Sequence, residues 1–157
     1  MLLKPDNPCA SCVLYGDGLG YVPASGGGDN YNGVMILGEA AGETEAAEGI
    51  GWCGKAGHYL FTQLQRIGIE RDGFRIANVL ACQPKMRGFK PNALAGTPFE
   101  ASAIATCSPL LDADIEAHKA SCMQKGLHPV VLALGVIAFR RVMGLQRNDP
   151  MLGDDYH

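Results

Sequence analysis

Val34-Met35-Ile36-Leu37-Gly38 is a continuous apolar run that ends at a glycine, the pattern of a parallel strand buried on both faces. Residues 129–134 show the same pattern before Gly135, and residues 74–80 are predicted as a further strand. Residues 56–67 and 136–143 have helical spacing between and after these strands. Helical stretches are also predicted at 98–107 and from Leu110 to about His118. Strands alternating with helices predict a three-layer α/β domain with a short parallel sheet.

The composition describes one ordinary folded domain. The chain has 157 residues, of which 47% are hydrophobic and 18% charged, and its net charge is −3. These values exclude a disordered chain, and they require any nucleic-acid binding to rest on a local basic patch. No apolar run reaches the ~18 residues of a membrane span, and the N-terminus lacks the apolar region of a signal peptide. We therefore expect a cytoplasmic protein that does not bind membranes.

Six cysteines in such a chain favour metal ligands or plain thiols over disulfides. Only Cys9 and Cys12 have close ligand spacing, because a gap of two residues lets both thiolates reach one metal. A second close pair is absent from the sequence, which argues against a simple zinc ribbon.

Ligands of parallel α/β sheets bind at the carboxyl ends of the strands, here at Gly38-Glu39, at residues 78–82 and at Gly135. Residues 49–56 nearly spell a phosphate-binding loop, but Ala56 stands where Ser or Thr would hold magnesium and no strand precedes Gly49. A nucleotide site is therefore not predicted. The histidines at positions 58, 118 and 128 are expected on exposed surfaces.

Six motifs occur together in a recognisable order. They are Cys9-x-x-Cys12, Gly38-Glu39-Ala40-Ala41-Gly42-Glu43-Thr44-Glu45, Gly51-Trp52-Cys53-Gly54-Lys55-Ala56-Gly57, Asn78-Val79-Leu80-Ala81-Cys82-Gln83-Pro84, Cys107-Ser108-Pro109-Leu110 and Ala133-Leu134-Gly135. In this order, over residues 9–144, the chain resembles the iron–sulfur uracil-DNA glycosylases of the family 4 and family 5 type. The resemblance implies a three-layer α/β/α sandwich and hydrolysis of the N-glycosidic bond of deoxyuridine in DNA.

The resemblance also implies a [4Fe-4S] cluster held by four cysteines, Cys9, Cys12, Cys82 and Cys107. Cys53 and Cys122 match no ligand position and are expected to be ordinary thiols. The alternative for Cys82 and Cys107 is that they are simply buried.

For the base itself, the resemblance implies stacking on Trp52, hydrogen bonds from the Asn78 amide and backbone N–H groups near Gly42. Glu39 and Glu45 match acidic positions that would orient water or stabilise positive charge on the sugar. Each feature also has a structural alternative: core packing for Trp52, a turn cap for Asn78 and a solvated acidic loop for the glutamates.

Three departures from the family pattern stand out. Ala41 replaces a proline, and Gly51-Trp52 replaces Pro-Phe. The segment between the last two cysteine ligands is long, and its basic residues are predicted to contact phosphates; these are Lys85, Arg87 and Lys90. The family's His-Pro-Ser motif and the fourth strand before it are absent, and His157 is a poor substitute.

We therefore predict one uracil-DNA glycosylase-like domain over residues 1–157, C-terminally shortened or part of a longer chain with further domains. It is expected to be monomeric and to bind uracil-containing DNA. Two alternatives remain open at this point. One is a non-catalytic DNA-binding module of the same fold attached to a replication protein, and the other is an iron–sulfur electron carrier.

Overall fold

The computed structural model describes residues 2–146 and residue 149. Four strands and four α-helices follow one another along the chain; they are β1 (Ser25–Gly26), β2 (Val34–Ala40), α1 (Glu43–Glu48), α2 (Lys55–Arg66), β3 (Phe74–Leu80), α3 (Glu100–Lys125), β4 (Val130–Ala133) and α4 (Val136–Met143). The predicted strands and the helices α2 and α4 are confirmed with shifts of at most three residues at their ends.

The strands form one sheet in the order β1-β3-β2-β4. Strand β2 lies between β3 and β4 and is parallel to both, and its Gly38 is the register partner of Asn78 on β3. The prediction of an all-parallel sheet needs one correction, because β1 pairs antiparallel with β3. This two-residue strand is too short to leave a periodic signal in a region that the sequence indicates is a loop. The predicted absence of a fourth strand and His motif falls mainly after residue 146, outside the described residues.

Helices cover both faces of the sheet, as predicted. Met35 and Leu37 point into a core shared with α3 and α4, whereas Ile36 points to the opposite face, where Leu60 and Leu64 of α2 pack. This alternation follows from the two-residue period of a strand. The three layers place the ends of β2 and β3 beside the loops that carry the Gly38–Glu45 and Gly51–Gly57 motifs.

Two helical predictions are corrected. The segment expected as a glycine- and glutamate-rich loop contains α1, a helix of six residues that starts after Gly42. Residues 98–118 were expected as two helical stretches, but α3 runs without a break through Pro109. An internal proline costs a helix ~3 kcal/mol. Buried Ala103 and Leu111 pack on the core on either side of Pro109, and this packing offsets the cost.

His118 is also corrected: it is fully buried on α3, not exposed. Its Nδ1 meets the hydroxyl of Tyr31, and the Cys122 thiol lies 3.7 Å from the same nitrogen. The partner residue is far away in sequence, which is why helical position alone suggested a solvated face. His58 and His128 are exposed, as expected. Among the described residues no helix is long and apolar enough to cross a membrane.

Candidate functional site

A cleft opens at the carboxyl ends of β2 and β3, where the sheet geometry predicts a site. Its volume is about 590 Å³, within the usual range of small-molecule sites. It is lined by the segment from Gly38 to Glu45 and by Trp52, Gly54, Lys55, Ala56, Asn78, Asn92 and Leu134. All five residues that the resemblance implies for base binding and catalysis therefore lie around one cavity.

Trp52 and Asn78 form the floor of this cleft. The indole N–H of Trp52 donates a hydrogen bond to Asn78 Oδ1 over 3.2 Å. Gly38 makes this approach possible, because a Cβ there would lie 2.5 Å from both Asn78 Oδ1 and the Trp52 ring. Trp52 also packs on the apolar cluster around Ile36 and Ile76, so it combines a core contact with a cleft-lining face.

The backbone of Trp52 adopts a conformation that is rare for a bulky residue, with φ of 56°. The Arg71 guanidinium donates to the carbonyls of Gly51 (2.5 Å) and Trp52 (2.9 Å) and lies over the Phe61 ring. Gly57 lets α2 approach the same turn, since a Cβ there would lie 1.8 Å from the Trp52 carbonyl oxygen. Arg71 and Gly57 thus hold the strained turn, a feature that the sequence analysis missed.

Glu45 is buried on α1. It lines the cleft, and its carboxylate also contacts the backbone of a neighbouring turn. Its Oε1 accepts a hydrogen bond from the Gly54 N–H over 2.8 Å. A Cβ at Gly42 would lie 2.6 Å from its Oε2. Glu45 therefore ties the turn before α1 to the turn before α2.

Glu39 is half-buried in the cleft wall. Burial raises the pKa of its carboxyl group, the charge of Glu100 raises it further, and Arg140 opposes both effects. Glu100 and Arg140 form a buried ion pair at 2.5 Å, and the Glu100 carboxylate also accepts from the Gly96 N–H. The protonation of Glu39 is thus coupled to charges on α3 and α4.

The predicted phosphate-contacting residues lie in the irregular segment between β3 and α3. Lys85, Arg87 and Lys90 are all exposed. Two residues further on, Asn92 lines the cleft with φ of 66°, and its Oδ1 accepts a hydrogen bond from the Gln83 side chain. The basic segment therefore leads directly to the rim of the cleft. Sequence reasoning missed Asn92, although asparagine after proline is a common signal for a left-handed turn.

The four cysteines assigned to a cluster line one separate pocket at the other side of β3, together with Lys4, Leu14, Tyr15, Tyr21, Leu80, Ala81 and Thr106. Cys53 and Cys122 do not line it. The Cys107 sulfur accepts from the Ala81 N–H at 3.5 Å, and the Cys12 sulfur accepts from the Leu14 N–H at 3.4 Å. Lys4 anchors the wall by donating to the carbonyls of three loop residues; these are Leu14, Tyr15 and Gly18.

Comparison with known proteins agrees with this architecture. Residues 26–154 match the model of the uracil DNA glycosylase superfamily. The chain belongs to that superfamily. It is 33% identical over 147 residues to the Type-4 uracil-DNA glycosylase of Pyrobaculum aerophilum, covering 93% of this chain and 65% of the relative. It is 31% identical over 137 residues to that of Archaeoglobus fulgidus, covering 87% of this chain and 59% of the relative.

A third relative, the Type-4 uracil-DNA glycosylase of Sulfurisphaera tokodaii, is 37% identical over 109 residues, which is 69% of this chain and 44% of the relative. The chain thus spans between about two fifths and two thirds of the lengths of these superfamily members. The resemblance to uracil-DNA glycosylases of the family 4 type is confirmed by these matches.

The cysteine pocket of this superfamily member groups four thiols in surroundings where burial opposes thiol ionisation. Burial raises the pKa of the Cys82 thiol to about 12, and burial also raises the pKa of Cys107 and Cys9. Grouped thiolates in such a site require compensating positive charge. Among the described residues, however, no three His, Cys, Asp or Glu side chains converge to hold one metal ion. The free volume between the thiols is only about 20 Å³, so a larger group enters only if these side chains rotate.

Proposed function

We propose that this chain is a uracil-DNA glycosylase domain that binds a uracil extruded from DNA and hydrolyses the N-glycosidic bond of deoxyuridine. The observation that carries the proposal is the Trp52–Asn78 pair at the floor of the 590 Å³ cleft. An aromatic surface beside a side-chain amide offers the stacking and edge hydrogen bonds by which enzymes read an extruded base.

In this proposal the base stacks on Trp52 while Asn78 pairs with its edge. The amide NH₂ donates to uracil O4, and Oδ1 has a second lone pair that accepts from N3–H. The backbone at Gly42 contributes N–H groups beside the base. Thymine shares the same edge, so discrimination against thymine requires that the cleft exclude its extra methyl group.

The chemistry requires stabilisation of the charges that separate when the bond between C1′ and N1 breaks. The bonding electron pair leaves with uracil, and water adds its hydroxyl to C1′. The remaining proton of the water neutralises the uracil anion, and an abasic site is left in the DNA. In this proposal the Glu39 carboxylate, which lines the cleft, stabilises the positive sugar or orients the water. Glu45 adds negative charge and holds the turns before α1 and α2 in register.

We also propose that Cys9, Cys12, Cys82 and Cys107 hold a [4Fe-4S] cluster. The support is the shared pocket, the all-thiolate donor set and the backbone N–H groups directed at two of the sulfurs. The four cysteine sulfurs do not converge on one point. This arrangement is compatible with a cluster, because each thiolate would bind a different iron. Its role here is structural: it would tie the N-terminal loop to the end of β3 and to α3.

DNA contact is assigned to Lys85, Arg87 and Lys90, which lie in the exposed segment that leads to the cleft-lining Asn92. Because the whole chain is acidic, local cations must supply the attraction to phosphates. Phosphate contacts along this segment would position the strand from which the base is extruded.

One observation favours a second candidate, a non-catalytic DNA-binding module of the same fold. No histidine of the described residues lines the cleft, and a histidine is what the family pattern places against the departing base. Loss of one preorganised donor typically costs roughly 100- to 1,000-fold in rate. An iron–sulfur electron carrier is less well supported, because it needs neither the base-sized cleft nor the basic segment.

The test is release of free uracil from a single-stranded oligonucleotide with one deoxyuridine, with binding measured in parallel. We expect slow release together with preferential binding of the uracil oligonucleotide. Preferential binding with no release, even over days, would favour the non-catalytic module. Equal binding of uracil and thymine oligonucleotides would contradict the proposal.

A further inference from the structure

The hydrogen bond between Trp52 and Asn78 fixes which end of the asparagine amide faces which way. An indole N–H only donates, so the atom that faces it over 3.2 Å is the carbonyl oxygen Oδ1. The NH₂ group of Asn78 is then turned away from the indole. Asn78 is buried, with 9% of its surface exposed.

The surrounding backbone leaves little room for either side chain to shift. Gly38 lies so close to the pair that a Cβ on it would be 2.5 Å from both Asn78 Oδ1 and the Trp52 ring. Gly57 packs directly against the Trp52 carbonyl. Arg71 holds the carbonyls of the turn from the other side. The indole N–H is therefore presented to Asn78 by a rigid frame rather than by a free side chain.

We propose that Trp52 is a specificity-determining residue: its indole N–H locks the Asn78 amide in the orientation that accepts uracil and rejects cytosine. This inference rests on the proposed function. Uracil presents an acceptor at position 4 and a donor at N3, whereas cytosine presents the reverse. An unlocked asparagine satisfies either base by rotating its amide through a half turn. The locked amide sets its NH₂ against the amino group of cytosine, so two donors face each other.

If Trp52 acted by stacking alone, Phe would serve equally well at position 52. If the indole N–H fixes the orientation of the Asn78 amide, Phe cannot replace Trp52. Trp52→Phe keeps an aromatic face but removes the N–H. The net value of one hydrogen bond corresponds to roughly a three- to tenfold change in an equilibrium constant. We expect the preference for uracil over cytosine to fall by that factor in Trp52→Phe, with the affinity for uracil itself reduced less.

The lock has a readout that does not depend on DNA. Trp52 is the single tryptophan of the chain, so its indole N–H gives one assignable signal in a ¹⁵N NMR spectrum. We expect this proton to exchange slowly with solvent in the full chain. Asn78→Leu, which cannot accept a hydrogen bond, should shift the signal and accelerate exchange. An indole signal unaffected by Asn78→Leu would overturn the lock.

The selectivity experiment compares binding of otherwise identical single-stranded oligonucleotides with one deoxyuridine or one deoxycytidine. The variants are Trp52→Phe and, as a matched control, Tyr59→Phe, which removes a hydroxyl from an aromatic residue that is 70% exposed on α2. A lower uracil-to-cytosine ratio in Trp52→Phe alone supports the proposal. An unchanged ratio overturns the proposed selectivity. The unmodified chain could also bind both bases equally while its indole signal still depends on Asn78. That result would overturn the uracil pocket and the selectivity, but the Trp52–Asn78 hydrogen bond would remain established.

Discussion

The carboxylate of Glu45 accepts a hydrogen bond from the backbone N–H of Gly54 over 2.8 Å and so joins two glycine-containing turns at the edge of the cleft. The same side chain also lines the cleft. A residue assigned to chemistry by family resemblance therefore has a second role, which is to hold the turn that precedes α2 and follows Trp52.

Substitution at Glu45 separates these roles. Glu45→Gln keeps an oxygen that accepts from Gly54 but removes the charge, whereas Glu45→Ala removes both. We expect Glu45→Ala to lower the free energy of unfolding by about 1 kcal/mol, because the partly buried Gly54 N–H loses its partner. Glu45→Gln should retain most of the stability and most of the uracil binding. Chemical denaturation and binding titrations measure both, and equal destabilisation by the two variants would contradict the backbone role.

Glu39 should make stability depend on pH in a particular direction. Because its folded pKa is raised above the ordinary value near 4.3, its stability contribution is fully present below that pH and is lost as pH rises through the folded pKa. Glu39→Gln resembles the protonated form, so it should raise Tm by about 1–2 °C at pH 7. The gain should vanish near pH 4.

The control for this effect is Glu48→Gln, at an exposed carboxylate in the last turn of α1. Thermal unfolding at several pH values should show no comparable gain for this variant. A gain from Glu39→Gln that is equal at pH 4 and pH 7 would show that ionisation of Glu39 is not its cause.

The cysteine pocket gives a direct prediction about metal content. Protein purified without oxygen should be brown and contain about four irons per chain. Cys82→Ser should lose the iron and much of the folded protein, whereas Cys53→Ser should keep both because Cys53 lies outside the pocket. Iron analysis and visible absorption check this. One tightly bound zinc in place of iron would contradict the cluster assignment.

The basic segment before α3 should control the salt dependence of DNA binding. Each phosphate contact contributes a slope of about −0.7 in log–log plots of affinity against salt for single strands. Replacing Lys85, Arg87 and Lys90 by Ala should therefore flatten the slope by up to about 2. Lys119→Ala serves as control, because this exposed lysine pairs with Glu116 on α3. An unchanged slope in the triple variant would place the DNA elsewhere.

Much of this fold follows from local sequence. Apolar runs that end at a glycine locate β2 and β4, and the largely apolar residues 74–80 locate β3. Helical spacing closed by Gly144 gives α4 with its observed ends. The features that sequence did not predict depend on distant partners. His118 is buried because Tyr31 and Cys122 lie against it, and α3 continues through Pro109 because the core packs on both sides.

The candidate site shows the same division. Family order was enough to collect Glu39, Trp52 and Asn78 around one cleft. It did not predict that the Trp52 ring would donate to Asn78, because this bond depends on the register between two strands and on a glycine that leaves room for it. Nor did it predict Arg71, whose role exists only through contacts with backbone carbonyls.

The central claim, that uracil docks on the Trp52–Asn78 floor, is tested most directly by the fluorescence of the single tryptophan. The full chain is titrated with a single-stranded oligonucleotide that carries one deoxyuridine, and then with the same oligonucleotide carrying thymidine at that position. Stacking of a base on the indole should quench Trp52 emission to saturation with the uracil oligonucleotide and much less with the thymine one. Equal quenching by both, or none by the uracil oligonucleotide despite binding, would contradict the claim.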